Sequence, residues 1–469
     1  MEQLKGLDSL FIHHETKNAP LHVLAVMEVD RTNARHPVTA ETFRHLVSAR
    51  ISSFDALCKK IAVPPLPVAT PLWLRTKPDL RIHIREITLG IDSRFDNFQK
   101  FIADYMSIPL DRSRPLWEFI IVHDFEGNIS RLVAKGHHAL LDGIAGFELM
   151  ASIFDLSEDG ADLDLSSGNS KIDIENEEPD WTTHFGASMI VQPLEWASSS
   201  INIAKKFLNI AKIAVDQKQR HIFTFPWRAP YWPKNRKLSS NRTISKAVLY
   251  RDDIKYIRQF FNVSFHDVIG AIVSRSLKNI MIENDDFPDA PLVVVSPVSV
   301  RRKRSAGGNE LSVMFAQMPT HLNDIDEEFA FMSKSFKNAK EQLSEIGTAT
   351  LGEVSKIAPW TALGKLWSLY SKSQVSDKHA PFANIMLSTL PGPSFAMYCA
   401  GTKVESATPY GPIFDGSLLN ITAISYLDKV NLGIVACPDN FKEVNVLATE
   451  IENVCSEVLD YIKMKNGQE

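Results

Sequence analysis

Cysteine is scarce in this chain. Cys58, Cys399, Cys437 and Cys455 are the four in 469 residues, with no CxxC spacing and no histidine beside them. That argues against a disulfide-stapled scaffold and a thiolate zinc site, and suits four buried small hydrophobes in a reducing compartment. GxSxG, GxGxxG, Walker A and HExxH are also missing, so a serine elbow, a nucleotide cofactor and a zincin-type metal have no footing. No window reaches the roughly 18 apolar residues of a spanning helix, and Met1 to Asp8 has no signal-peptide core. A net charge of −5 supplies no basic excess for nucleic acid as a main partner.

One segment carries chemistry. His137-His138-Ala139-Leu140-Leu141-Asp142-Gly143 sets two imidazoles and a carboxylate within seven residues. Arg131 to Gly136 reads as a strand, and from Gly143 onward Ile144, Phe147, Met150 and Phe154 recur at helical spacing. The double histidine is therefore expected on a strand-to-helix loop, where side chains can enter a cleft. Histidine is the side chain best poised to take and return a proton near neutral pH. Asp142 on its own would serve as a helix cap. A second pair, His13-His14, is followed by Glu15-Thr16-Lys17-Asn18-Ala19 without the Asp-Gly; it reads as ordinary surface.

HHxxxDG in this setting resembles the CoA-dependent acyltransferase superfamily. The rest of the chain is similar to the bacterial wax ester synthase/acyl-CoA:diacylglycerol acyltransferase family. Gly6-Leu7-Asp8, Pro20 to Val23, Leu110 to Glu118 with its Pro115-Leu116-Trp117, Pro297 to Arg301, Gly308-Asn309, Ser388 to Pro393, Leu419 to Thr422 and Ser425-Tyr426 come in family order. The family's Asn-Asp pair is His266-Asp267 here, its Ser-Asn-x-Pro-Gly-Pro reads Ser388-Thr389-Leu390-Pro391-Gly392-Pro393, and the stretch before the first of these strands is reduced to Trp73 and Arg81 to Arg85.

The resemblance implies an α/β fold with mixed sheets, in two chloramphenicol acetyltransferase-like lobes with the active site in a channel between them. It implies an O-acyltransferase moving a long-chain acyl group from acyl-CoA, a substrate and not a cofactor, to a fatty alcohol or diacylglycerol. A cytoplasmic protein in peripheral contact with membranes or lipid inclusions is the matching expectation. Such a reaction needs a base for the hydroxyl proton and a stabiliser for the oxyanion. His138, at the HxxxD spacing to Asp142, is the expected base. His137 either orients the ring or bonds to backbone. Asp142 holds the loop and Gly143 allows its turn. His266, Asp267, Asn309, Ser388 and Thr389 are candidates for lining the cleft. For Asp267 the alternative is a helix cap with Ser264, and for the two hydroxyls a bond to their own backbone. No metal is expected. The rival readings are a carrier-protein-dependent or small-alcohol acyltransferase and a non-catalytic acyl-CoA- or lipid-binding relative.

At 469 residues two domains are the prior. Residues 1–155 alternate strand and helix signals, with Leu116 to Val122 pairing against Leu132 to Gly136. Residues 156–242 form an inter-domain connection: ten acidic residues and one lysine from Asp155 to Asp180, then ten Lys/Arg against Asp216 from Lys205 to Arg242. In the basic part Ile203, Phe207, Ile210 and Ala214 share a helical face, and Trp227, Tyr231 and Trp232 follow. This suits either an interfacial membrane element or a helix packed across the lobes. Residues 243–469 restart as a second lobe, with a strand from Thr243 to Tyr250, a helix from Phe265 to Met281 and a C-terminal amphipathic helix from Val444.

Overall fold

The computed structural model describes residues 2–158, 229–299, 311–346 and 379–467, together with residues 181 and 369. Within those spans it leaves out residues 5, 33, 35, 52–53, 65–70, 91–96, 125–126, 141–145, 147–148, 151 and 289. In chain order the N-terminal half runs β1 (Glu2–Gln3), α1 (Gly6–His14), β2 (His22–Asp30), α2 (Ala40–Arg50), β3 (Lys59–Ala62), β4 (Leu72–Arg75), α3 (Leu80–His83), β5 (Ile84–Thr88), α4 (Phe98–Ser107), β6 (Trp117–His123) and β7 (Ile129–His137). The rest runs β8 (Thr243–Tyr250), α5 (Arg251–Phe261), α6 (Phe265–Glu283), β9 (Val293–Ser299), β10 (Leu311–Gln317), α7 (Ile325–Ile346), β11 (Ile385–Leu390), β12 (Tyr398–Cys399), β13 (Thr402–Tyr410), β14 (Leu419–Tyr426), β15 (Lys429–Ala436) and α8 (Val444–Asn466).

Two six-stranded mixed sheets organise these elements, in the orders β12-β13-β2-β7-β6-β5 and β10-β9-β11-β14-β15-β8; β1-β4-β3 form a smaller sheet. The expected hairpin is present: β6 and β7 pair antiparallel with Trp117 opposite Gly136. On its other edge β7 pairs with β2, His137 opposite His22. In the second sheet β11 lies parallel between β9 and β14. Its helices pack over an apolar core that includes Val268, Ile272, Leu277, Phe336, Leu447 and Ile451. α6 begins on a reciprocal cap, Ser264 Oγ accepting from Asp267 N and the Asp267 carboxylate accepting from Ser264 N.

The sheets do not divide the chain at residue 243. β12 and β13, read from sequence as part of the second lobe, complete the first sheet through β13 against β2, Ala407 opposite Met27. β13 also lies against β15, and Gly433 makes that approach workable. A Cβ there would come within 1.8 Å of the Pro409 carbonyl oxygen. Gly433→Ala is therefore expected to push the sheets apart and cost about 1–3 kcal/mol or more, read as a lower melting temperature; an unchanged melt would show that the contact yields freely.

Of the basic segment, residues 229–242 are described; Tyr231 is exposed, whereas Trp232, Lys234 and Arg242 are engaged within the protein. Trp232 is fully buried in the second core, its Nε1 donating to Asp286 at 2.9 Å. Lys234 faces Asp286 and Glu443. Arg242 is buried and donates to the carbonyls of Asn18, Ser239 and Asn241, tying this segment to the loop before β2. An indole with an apolar pocket and a carboxylate acceptor within the protein gains nothing from a lipid surface. Residues 203–216 and Trp227 lie outside the described residues.

Candidate active site

Adjacent residues on a strand point to opposite faces, and this separates the two histidines. His137 closes β7 and is 1% exposed. Its Nδ1 accepts from Ala139 N at 3.0 Å, so Nε2 carries the proton and donates to Glu15 Oε2 at 2.8 Å. His22, opposite it on β2, is also fully buried, with Nε2 3.4 Å from the same carboxylate oxygen and accepting from Leu110 N at 3.3 Å. Arg112 reaches the other Glu15 oxygen at 3.2 Å. His138 faces the other way. Its backbone N–H donates to Leu21 O at 2.9 Å, and its ring stacks on Phe11 of α1 with centroids 4.3 Å apart.

The His138 side opens into a cavity of about 230 Å³ between the two sheets. Strands β2, β6, β7 and β13 of the first sheet and β11 and β14 of the second supply its walls. Met27, Leu57, Trp117, Phe119, Leu149, Met150 and Met397 make one part apolar, whereas Ser388, Thr389, Asn420 and Thr422 bring polar groups from the second sheet. Thr422 Oγ1 donates to Asn420 Oδ1 at 2.8 Å, and Asn420 Nδ2 donates to Pro412 O at 2.8 Å. A greasy slot with a few polar groups near one imidazole can hold an aliphatic chain and do proton chemistry at its head.

The remaining candidates fall in different places. Ser388 and Thr389 line the cavity. His266 meets it indirectly, its Nδ1 lying 2.9 Å from Thr389 Oγ1 and its ring against Phe336. Asp267 turns into the helix cap and also accepts from Ser333 Oγ at 3.2 Å. Asp142, Gly143 and Asn309 lie outside the described residues. His13 is a correction: it is half-buried rather than ordinary surface, and burial, with Arg112 and His14 nearby, pushes its imidazole down to about 4. The reason is that α1 lies over the histidine loop instead of in solvent.

Glu15 and Phe11 carried no motif and were missed. Lys135 lies within the strand expected from Arg131 to Gly136 and carried no signal of its own. It is 2% exposed and donates to Tyr105 O and Ile108 O at 2.8 and 2.5 Å, satisfying carbonyls at the end of α4 where a cation is favoured. Burial lowers its ammonium to about 8.

Glu15, His22 and His137 bring ligand atoms within 4.8 Å of one another. Yet His137 Nδ1 and His22 Nε2 each accept a backbone N–H, and what His137 presents to Glu15 is a proton rather than a lone pair. The trio is built as a buried polar clamp, with His137 donating to Glu15 and His22 beside them, joining the residue after α1 to β2 and β7. Burial opposes the charge on Glu15, but the contacts with His137 and His22 outweigh it and hold the carboxyl well below its usual range.

Burial also lowers His22 to about 3 and, with Lys340 adding to it, His266 to about 4. In the unfolded chain both titrate near 6.5. Below that pH the unfolded state binds protons that the folded state refuses, so stability falls as pH drops from about 6.5 toward 4, by up to about 1.4 kcal/mol per pH unit for each histidine. Below the ordinary glutamate range the depressed Glu15 carboxyl acts in the same direction. The melting temperature is expected to fall clearly between pH 7 and pH 5, and a flat profile would contradict the burial of these rings.

Residues 4–269 match the wax ester synthase/diacylglycerol acyltransferase catalytic domain, and residues 307–458 match the C-terminal domain of the same family. O-acyltransferase WSD of Acinetobacter baylyi is 26% identical over 468 residues, covering 96% of each chain. Among solved structures, the wax ester synthase/diacylglycerol acyltransferase of Marinobacter aquaeolei VT8 superposes with a TM-score of 0.65 at 19% identity, over 97% of this chain and 98% of that one. The first condensation domain of the calcium-dependent antibiotic synthetase does so at 0.58 and 11% identity, over 98% and 96%. The two mixed sheets, the cavity between them and the histidine loop at its edge thus belong to an acyltransferase, and this chain is a member of the wax ester synthase/diacylglycerol acyltransferase family.

Proposed function

We propose that the protein transfers a long-chain acyl group from acyl-CoA to a fatty alcohol or diacylglycerol, with His138 as general base. The observation that carries this reading is the opposite orientation of the two histidines. His137 has both ring nitrogens committed inside the protein, while His138 lines an apolar cavity between the sheets. In the reaction His138 takes the hydroxyl proton as the acceptor oxygen bonds to the thioester carbon. The tetrahedral intermediate then expels CoA by breaking the carbon–sulfur bond, and the proton passes to the departing thiolate. Ser388 or Thr389, both lining the same cavity from the facing strand, is the candidate donor to the oxyanion. Asp142 keeps the role of holding the loop that its place in the motif implies.

The acceptors are poorly soluble in water, so the reaction belongs at a membrane or lipid-inclusion surface, with the protein bound peripherally. Among the described residues no helix is long and apolar enough to cross a membrane. The test is purified protein with palmitoyl-CoA and a panel of alcohols and diacylglycerol, the products separated by lipid class. Wax ester or triacylglycerol supports the reading; acyl-CoA binding without turnover on any acceptor, or esters of short alcohols alone, overturns it.

A further inference from the structure

The first sheet is closed on one face and open on the other. Along its central strands, residues facing α4, such as Leu24, Val133 and Lys135, are buried. On the opposite face Val23, Ala25, Ala134 and Gly136 stay partly accessible, although β2 and β7 have strands on both sides. Side-chain size accounts for the difference. Register sets Gly136 between Val23 and Trp117, then Ala134 between Ala25 and Phe119, then Leu132 between Met27 and Ile121. Moving away from His138, the floor of the cavity therefore rises from glycine, through a pair of alanines, to methionine beside leucine. At Gly136 the space is open among the described residues, none of which comes within 4 Å of where a Cβ would stand. At the third layer it closes: Met27 is the last β2 residue to touch the cavity, and Leu132 and Ile121 are buried outside it. From Gly136 to Leu132 is four residues of strand, about 13–14 Å.

We propose that this slot receives the acyl chain of the donor and that its three layers, Gly136, then Ala25 with Ala134, then Met27, set the chain length accepted. The inference rests on the acyl-transfer reading above. A donor chain is single, unbranched and joined to the reacting carbon at one end. A slot that starts beside His138 and ends in protein matches that shape. A diacylglycerol brings two chains and a glycerol unit, and it must enter from elsewhere. The floor acts by displacement: a larger side chain at a given layer removes the room for every methylene that would lie at or beyond it.

The test is the donor profile of the full-length protein, from acetyl-CoA to arachidoyl-CoA, with one fixed alcohol. Ala134→Leu is expected to lower kcat/KM for palmitoyl-CoA by about 10-fold or more while leaving the shortest donors almost unchanged. Met27→Ala is expected to move the optimum to longer chains. Gly136→Ala, which meets no neighbour within 4 Å among the described residues and so spares the fold, is expected to slow every donor longer than acetyl. Equal losses for all donors with Ala134→Leu, an unmoved profile in all three variants, or a shift in preference for the alcohol instead of the donor would overturn the assignment. Failure of the wild type to form ester from any donor would sink the acyl-transfer reading itself, whereas an active wild type with unmoved profiles would remove the slot alone.

Discussion

His138→Ala is expected to lower acyl transfer by about 10²–10⁴-fold, the range for removing a general base, with a nearly unchanged melting temperature. The two halves of that outcome have separate causes. In the proposed mechanism the ring, which lines the cavity, is the proton acceptor, so the loss falls on turnover. Among the described residues the ring stacks on Phe11, and the backbone bond from His138 to Leu21 O survives the substitution. Steady-state kinetics beside a melting curve checks both. Near-normal turnover in the variant would mean that another group takes the proton. A collapsed melt would mean that the histidine holds the loop instead.

Glu15→Ala is expected to produce the reverse pattern, with stability falling first and rate following. The carboxylate is the meeting point of His137, His22 and Arg112, and its removal leaves two buried imidazoles and a cation without it. Leaving a buried donor such as His137 Nε2–H without its acceptor costs about 1–3 kcal/mol. Rate should fall as well, because the clamp fixes the end of β7 from which His138 projects. Glu15→Gln retains the shape and one acceptor oxygen, so it should recover part of the loss. Thermal or denaturant unfolding of both variants checks this. If Glu15→Ala melts like the wild type, the clamp carries no weight, and the position of His138 must be set elsewhere.

The contrast between these two residues shows how far the sequence could be read. His138 was legible because its pattern is local: seven residues between a period-two run and a helical one announce both the chemistry and the loop that presents it. Local periodicity also located the elements around it. The strand expected from Thr243 to Tyr250 has those bounds, and the helix expected to start at Phe265 does so, running on to Glu283. Glu15 was not legible. A glutamate after His13-His14 looks like surface, and it becomes the centre of a buried clamp only because β2 brings His22 into register with His137.

The same reasoning covers the other misses. β13 falls within the second lobe by its place in sequence, and only long-range pairing sends it to β2 in the first sheet. Trp232 follows the basic run among cations, and only the fold shows that its own neighbours are the buried second core and Asp286. The division of labour between His137 and His138 follows from strand alternation, yet which face holds the cavity depends on where the second sheet lies. The spacing of His138 to Asp142 singled out His138 as the candidate; the commitment of both His137 nitrogens needed Ala139 N and Glu15 in place.

The central claim is direct transfer from acyl-CoA to a lipid alcohol on the face that His138 occupies. A single-turnover experiment tests it most directly, with acyl-labelled palmitoyl-CoA, hexadecanol and the purified protein in excess, following label in CoA ester, wax ester and protein. The account predicts that label leaves the thioester at the rate at which ester appears, that none becomes bound to protein, and that His138→Ala slows both events equally. Label accumulating on the protein, or ester forming at the wild-type rate in the variant, would contradict it.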